Sequence, residues 1–295
     1  MNEKRGLEYS LAMRQAASKV IAVTGATSGM GKACAEGLSA SGHRVFGTVF
    51  GVEMQPEWQE LPYRLIPCDI TDQKAVEAFY RRIREEAERI DVLVNCAGFA
   101  LEGGVEDTTV EEAKLQFEVN LFGTHRMIRE VLPIMRRQGD GRIITISSLA
   151  GQVPAVPFQG FYSMSKKALD GLTEALRIEC KPFGIQATSV NPGDVKTDFT
   201  GHRVRAAALT PESPYYQRSI GSVEVMRKSE LRSQGPEVIG RLVCELVLAR
   251  ELEPRYLVEP KYKLLLFLMR FMSNARVERV IESIYCRGRR PEGAS

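Results

Sequence analysis

Tyr162 and Lys166 stand four residues apart with no glycine or proline between them. On a helix that spacing sends both side chains from one face, one turn apart. A free phenol titrates near pH 10, too high for easy proton transfer at neutral pH. A positive charge one turn away favours the phenolate and lowers that pKa. A hydroxyl pair, Ser147-Ser148, precedes them at the end of the apolar run Gly141–Ile146, which reads as a buried strand. Strand ends beside helix starts are where α/β sheets place their ligands. Residues 147–166 can therefore bring a hydroxyl, a phenol and an ammonium together. The same Tyr/Lys spacing is common on solvated helix faces, so the rest of the chain has to decide.

At 295 residues the chain suits one large α/β domain or two small ones. With 44% hydrophobic and 26% charged residues, its composition is ordinary for a soluble globular protein. A net charge of +3 is too weak for a nucleic-acid protein driven by bulk electrostatics. No apolar run reaches the roughly 18 residues that a membrane-crossing helix needs. Residues 1–17 are polar and mixed in charge, lack the apolar core of a signal peptide, and read as a loose leader or short helix. Cys34, Cys68, Cys96, Cys180, Cys244 and Cys286 form no Cys-x-x-Cys pair. They read as reduced residues of a cytoplasmic protein. His43, His125 and His202 show no metal-ligand spacing, and no metal site is expected.

The remaining elements alternate strand and helix. Residues 19–24 form a β-rich run that enters Gly25-Ala-Thr-Ser-Gly29-Met-Gly31, and a helical stretch follows from Lys32 to residue 40. Strand, glycine turn and helix make the unit that holds a dinucleotide, with the helix N-terminus facing the pyrophosphate. Residues 43–50 read as a second strand. It ends at Val49-Phe50-Gly51, with neither the acid that meets the ribose of NAD nor an arginine for the phosphate of NADP. Glu53 reads as a solvated loop residue. Strands over 63–68, 90–94, 142–147 and 184–190 alternate with helices over 74–89, 110–138 and 160–180. Thr71 or Asp72 caps the first of these helices, and Pro133 bends the second. The pattern predicts an α/β fold with a mostly parallel sheet and helices on both faces. From 198 to 234 the pattern fades into a polar, proline-broken stretch that reads as an irregular lid. A helix returns at 236–250 and a short strand at 255–258. The tail contains a six-residue apolar run, residues 264–269, too short to span a bilayer. Three roles compete for it: packing on the body or a partner, capping a pocket, and lying on a membrane with Lys261, Lys263 and Arg270 at the headgroups.

Taken together, these stretches resemble the short-chain dehydrogenase/reductase family over about residues 18–200. Thr24-Gly25-x-x-x-Gly29-x-Gly31 looks like its cofactor turn, and Asp69 stands where the family places an acid near the adenine. Asn95-Cys96-Ala97-Gly98 is similar to its Asn-Asn-Ala-Gly element, and Pro192-Gly193 with Thr197 looks like its nicotinamide-side loop. Asn120, Ser148, Tyr162 and Lys166 fall where its catalytic four fall. Ser148 is preferred to Ser147 because Ser148-x-x-Gly151 has the family's spacing. It lies fourteen residues before Tyr162, one more than in many members, and the bend at Pro154 and Pro157 absorbs the difference.

The resemblance implies a Rossmann-like doubly wound parallel sheet, as a single domain over 18–260 with the lid at about 198–234 and an amphipathic extension over 261–295. It implies cofactor contacts from Gly25, Thr27, Ser28, Gly29, Met30 and Gly31, from Asp69 and Ile70, and from Asn95, Ala97 and Gly98. Tyr162, Lys166, Pro192, Gly193, Val195 and Thr197 complete that set. It further implies hydride transfer between NAD(P) and a secondary alcohol or ketone. Tyr162 would act as acid/base, Lys166 would lower its pKa and hold the nicotinamide ribose, Ser148 would bond the carbonyl oxygen, and Asn120 would hold a relay water. NADP(H) is favoured over NAD(H): no acid at Val49 or Phe50 repels a 2′-phosphate, and Arg44 or Lys32 could lie near one. Val153, Pro154, Phe158, Phe199 and the apolar C-terminus look most like the branch acting on steroids, retinoids and similar hydrophobic alcohols. The family also implies a homodimer or homotetramer through the helices near 110–138 and 160–180. Two alternatives stand beside this: a non-catalytic NAD(P)-binding regulator, and a membrane-associated lipid-metabolising reductase.

Overall fold

A computed structural model describes residues 18–51, 55–197, 201 and 203–286. The leader at 1–17, Glu53, Phe199, His202 and the end of the tail lie outside the described residues.

Seven strands form one parallel sheet: β1 (Val20–Val23), β2 (Arg44–Val49), β3 (Arg64–Pro67), β4 (Val92–Asn95), β6 (Gly141–Ile146), β7 (Ile185–Asn191) and β9 (Arg255–Leu257). Their order is β3-β2-β1-β4-β6-β7-β9. The central strands are continuous apolar runs because helices cover both faces. All four residues of β1 and of β4 are buried. The chain winds outward from β1 to β3, then returns to start the other half at β4. The C-terminal ends of β1 and β4 therefore flank the switch point where such sheets bind ligands.

One face is covered by α1 (Gly29–Ala40) and α7 (Glu237–Leu248), which bury Cys34, Leu38, Ile239 and Val243 against the strands. Small residues let these two helices approach closely. A Cβ added at Gly240 would lie 2.5 Å from the Ala33 carbonyl oxygen. The other face carries α2 (Gln73–Glu86), α4 (Thr124–Gln138) and α5 (Gly160–Cys180), with Phe79, Ile83, Met127 and Leu176 in its core. Asp72 caps α2, accepting from Lys74 N at 2.9 Å.

The helix expected over 110–138 is three pieces. α3 (Val110–Phe117) begins with a reciprocal cap between Thr109 and Glu112. A wider π turn, Glu118–Gly123, follows, and then α4, which accommodates Pro133. Asn120 sits in the π turn, fully buried. Such turns inside helices re-aim side chains and recur at functional sites.

Residues 203–234 are more ordered than expected. β8 (Val204–Arg205) pairs in parallel with β5 (Leu101–Glu102), and α6 spans Tyr216–Leu231. The buried face of α6 is Ser219, Ser222, Met226 and Glu230, so it lacks the apolar stripe by which a helix is recognised. Beyond β9 the tail forms α8 (Pro260–Met269) and α9 (Asn274–Tyr285).

Candidate active site

The turn after β1 is tied to the turn after β4. Thr24 Oγ1 accepts from Cys96 N at 2.9 Å and Ala97 N at 3.0 Å. Thr48, near the end of β2, accepts from Gly25 N at 3.0 Å. Gly25 adopts φ +67°, and a Cβ there would lie 3.1 Å from Ala97 Cα. At Gly31 the constraint is tighter, since a Cβ would lie 2.1 Å from the Gly25 carbonyl oxygen. The first helical bond of α1 runs from Lys32 N to Ser28 O, at 3.1 Å. The N–H groups of Gly29, Met30 and Gly31 thus have no intrahelical partner and suit a phosphate. Both polar atoms of the buried Asn95 amide lack a partner among the described residues. Leaving such groups unpaired costs about 1–3 kcal/mol each, so the site is built to receive polar atoms. Glycine cradle, helix start and amide together fit a dinucleotide.

The other expected cofactor contacts gather at the same sheet edge. Asp69 Oδ1 accepts from Thr71 N at 2.8 Å and Thr71 Oγ1 at 2.7 Å, which fixes the turn after β3. The Ile70 side chain packs against Gly123, and Val195 is buried in the core beside α1 and α7. Pro192 O accepts from Leu149 N at 2.7 Å. Thr197 comes within 4.0 Å of where a Cβ on Gly29 would stand. Arg44 departs from expectation. It opens β2 at the far end, about 16 Å from Val49 at 3.3 Å per residue. Its Nη1 donates to Glu86 O at 3.0 Å, so it is not placed to meet a 2′-phosphate. Lys32, in the first turn of α1, remains at the cofactor edge and pairs with Glu36 at 3.7 Å.

Ser148, Tyr162, Lys166 and Asn120 converge at the end of β6. Ser148 stands beside the Tyr162 phenol, where its hydroxyl pulls the phenol's pKa down. Ser147 turns inward and donates to the Lys166 carbonyl at 3.2 Å. The Lys166 ammonium lies 5.8 Å from the Tyr162 ring centroid and donates to Ile146 O at 3.0 Å. Asn120 is clamped from three sides. Its Oδ1 accepts from Phe99 N, and its Nδ2 donates to Phe99 O and to Ser165 Oγ, each at 3.0 Å. Ser165 in turn donates to the Tyr162 carbonyl at 2.8 Å, which links the π turn to α5. Just before α5, Phe158 holds φ +62°, the one left-handed non-glycine residue among those described.

Burial dominates the electrostatics. It raises the Tyr162 pKa above the ordinary value, while the Ser148 hydroxyl and the Arg203 charge pull it down and Glu230 pushes it up. Burial drives the Lys166 pKa down to about 8, against the opposing charge of Asp170. The sign of the linkage follows. Unfolded Lys166 holds its proton up to about pH 10.5, and the folded residue gives it up near 8. Folding therefore carries a penalty below pH 8 that fades as pH rises through that window. Lys166→Met removes the penalty. Its stabilisation relative to wild type should be about 2 kcal/mol smaller at pH 9.5 than at pH 7. Denaturant unfolding at the two pH values measures this, and a pH-independent difference would contradict it.

Further polar residues, with little or no signal in the sequence, brace these four. Asn191 Nδ2 donates to Asp170 Oδ1 at 3.0 Å and to Ser148 O at 3.2 Å. Ser189 Oγ donates to Asn191 Oδ1 at 3.0 Å. Asp170 is one turn beyond Lys166 on α5, a spacing that could have drawn notice. Asn191 and Ser165 carry no comparable signal.

Residues of α6 and of the tail helices pack over this centre. Tyr162 packs in a cluster with Ala150, Val156, Val223, Met226 and Tyr285. The Tyr262 ring lies over Gly193, where a Cβ would stand 1.9 Å from Tyr262 Cε2. The tail thus packs on the body and caps the site. Val153 is buried near this centre, and Pro154 and Phe158 line a separate cavity of about 300 Å³ against α9.

Residues 19–208 match the model of the short chain dehydrogenase family. The chain is 38% identical over 229 residues to a 3-ketodihydrosphingosine reductase of Bacteroides thetaiotaomicron, covering 78% of this chain and 83% of that one. It is 30% identical over 253 residues to an NADPH-dependent 3-dehydrocapnine reductase of Ornithobacterium rhinotracheale, covering 81% and 87%. Among solved structures, a short-chain dehydrogenase from Streptomyces avermitilis superposes with a TM-score of 0.75 at 30% identity, covering 91% of this chain and 97% of that one. With its doubly wound sheet and glycine turn, the chain belongs to the short-chain dehydrogenase/reductase family of NAD(P)-dependent oxidoreductases acting on alcohol and ketone groups.

Proposed function

We propose that the protein reduces a ketone on a long-chain, hydrophobic substrate, with NADPH preferred to NADH. The observation that carries it is the Tyr162/Lys166 pair on one face of α5, the ammonium 5.8 Å from the phenol ring and the ring packed in the apolar cluster with Val223, Met226 and Tyr285. The reductases of ketodihydrosphingosine and dehydrocapnine among its relatives favour a lipid ketone over the steroids or retinoids that bulky surroundings alone suggest. The missing acid at the end of β2, Lys32 at the cofactor edge, and the NADPH-dependent relative favour the phosphorylated cofactor.

The nicotinamide cofactor, when bound, supplies the hydride that forms the new C–H bond. Tyr162 gives its proton to the substrate oxygen as negative charge develops there, completing the alcohol. Ser148 Oγ bonds the same oxygen and lowers the cost of that charge. Lys166 places a positive charge beside the phenolate left behind and reaches for the cofactor ribose. Asn120, held rigid by Phe99 and Ser165, positions a water for reprotonation. The 198–234 segment acts as the lid of a single catalytic domain. Initial rates with long-chain 3-ketones, hydroxysteroids and retinoids, each with NADPH or NADH and its oxidised form, test the reading. Turnover confined to small polar alcohols would sink it.

Val110, Leu115, Phe122, Met164 and Ile178 expose apolar surface on α3, the π turn and α5, which supports a homo-oligomer of a cytoplasmic protein through those helices. Light scattering should give a multiple of 32.9 kDa for wild type, and Leu115→Asp/Ile178→Asp should lower it. A monomeric wild type would contradict this.

Attachment to a membrane surface is favoured by a different patch. Leu264, Phe267, Leu268 and Phe271 are 50–74% exposed along α8 and its end, beside Lys261, Lys263 and Arg270. Among the described residues no helix is long and apolar enough to cross a membrane. An interfacial helix needs only this apolar and basic combination. Wild type should co-sediment with phosphatidylserine vesicles, and Phe267→Asp/Phe271→Asp should stay in the supernatant. Wild type left in the supernatant would refute the attachment.

A further inference from the structure

A cavity of about 590 Å³ opens beneath the lid, lined by Thr197, Arg203, Val223 and Glu230 among others. Arg203 Nη2 donates to Glu230 Oε1 at 2.8 Å, and the two side chains are only 5% and 11% exposed. Among the described residues, Arg203 Nε and Nη1 and Glu230 Oε2 are buried without a partner. A guanidinium carries five N–H donors and a carboxylate several acceptor sites. A pair serving only to pin the lid would leave much of that capacity unmet, which is costly in a buried place. The unmet atoms include both donors and an acceptor, so they match a ligand that itself carries an acceptor and a donor.

The pair also stands beside the reacting centre. Val223 lines the cavity and packs in the cluster that contains Tyr162. Both charges act on the phenol, Arg203 favouring its ionised form and Glu230 opposing it. Leu231 and Val223 give the cavity apolar wall.

We propose that Arg203 and Glu230 form a head-group subsite, in which Glu230 holds a protonated amine next to the ketone and Arg203 holds an oxygen of the head. The substrate class is then a long-chain amino ketone with a polar head. This rests on the ketone-reductase reading and narrows it.

The test compares three long-chain 3-ketones of equal length with NADPH: the 2-amino-1-hydroxy ketone, the 1-hydroxy ketone without the amine, and the unsubstituted ketone. For wild type, kcat/KM should fall about 10- to 100-fold when the amine is removed. In Glu230→Gln the ratio between the first two substrates should collapse toward one. Equal kcat/KM with and without the amine in wild type would overturn the subsite while leaving the reductase reading intact. That comparison decides the matter even if the variant does not fold. Reduction of none of the three by wild type, with NADPH binding retained, would overturn the reductase reading and the subsite with it.

Discussion

Tyr162→Phe should lower kcat by about 10²- to 10⁴-fold, the usual weight of a positioned proton donor. The change removes one oxygen and keeps the ring, so the packing against Val223, Met226 and Tyr285 survives. The Lys166 ammonium retains its bond to Ile146 O. NADPH affinity, read by quenching of protein fluorescence, should therefore stay within about threefold, because the contacts at the glycine turn are untouched. KM for the ketone should move much less than kcat, since the proton is needed only as charge builds on oxygen. Turnover comparable to wild type would remove Tyr162 from the chemistry.

Ser148→Ala should lower kcat by about 10²- to 10³-fold, as expected for losing one preorganised donor to a developing oxyanion. A second effect is structural. Ser148 Oγ accepts from Ala150 N at 3.1 Å and caps the short turn Leu149–Gly151. Losing a cap costs about 1 kcal/mol of stability. That loss lowers the melting temperature but cannot account for a hundredfold drop in kcat at 25 °C in protein that is still folded. Ser147→Ala separates the two effects. Its hydroxyl serves the Lys166 carbonyl from a buried position, so the variant should lose stability with little change in kcat. Equal losses of kcat in both variants would mean that the strand end as a whole matters, and not the Ser148 hydroxyl.

The parts of the site legible in the sequence were those fixed by local chemistry. A glycine turn between a strand and a helix, a Tyr/Lys pair at helical spacing, and hydroxyls at a strand end each have a short-range cause. The same is true of the sheet, because parallel strands buried on both faces are written as continuous apolar runs. Helix α6 was invisible because its inward face is serine, methionine and glutamate and not an apolar stripe. The π turn was invisible because no composition marks it, and its effect shows only where Asn120 meets Ser165. Arg203 and Glu230 are 27 residues apart in a stretch without periodicity, and only the fold makes them a buried pair. Arg44 shows the opposite error: nearness in sequence to the end of β2 suggested a phosphate contact that strand length denies.

The most direct test of the central claim follows the hydride itself. Wild-type enzyme is given NADPH deuterated on the transferable face of C4 together with a long-chain 3-ketone, and the product alcohol is examined by mass spectrometry. The alcohol should be one deuterium heavier than that from unlabelled NADPH, with the label on the carbinol carbon, and Tyr162→Phe should form almost none of it. An unlabelled alcohol, or no alcohol from any long-chain ketone while a hydroxysteroid is turned over, would contradict it.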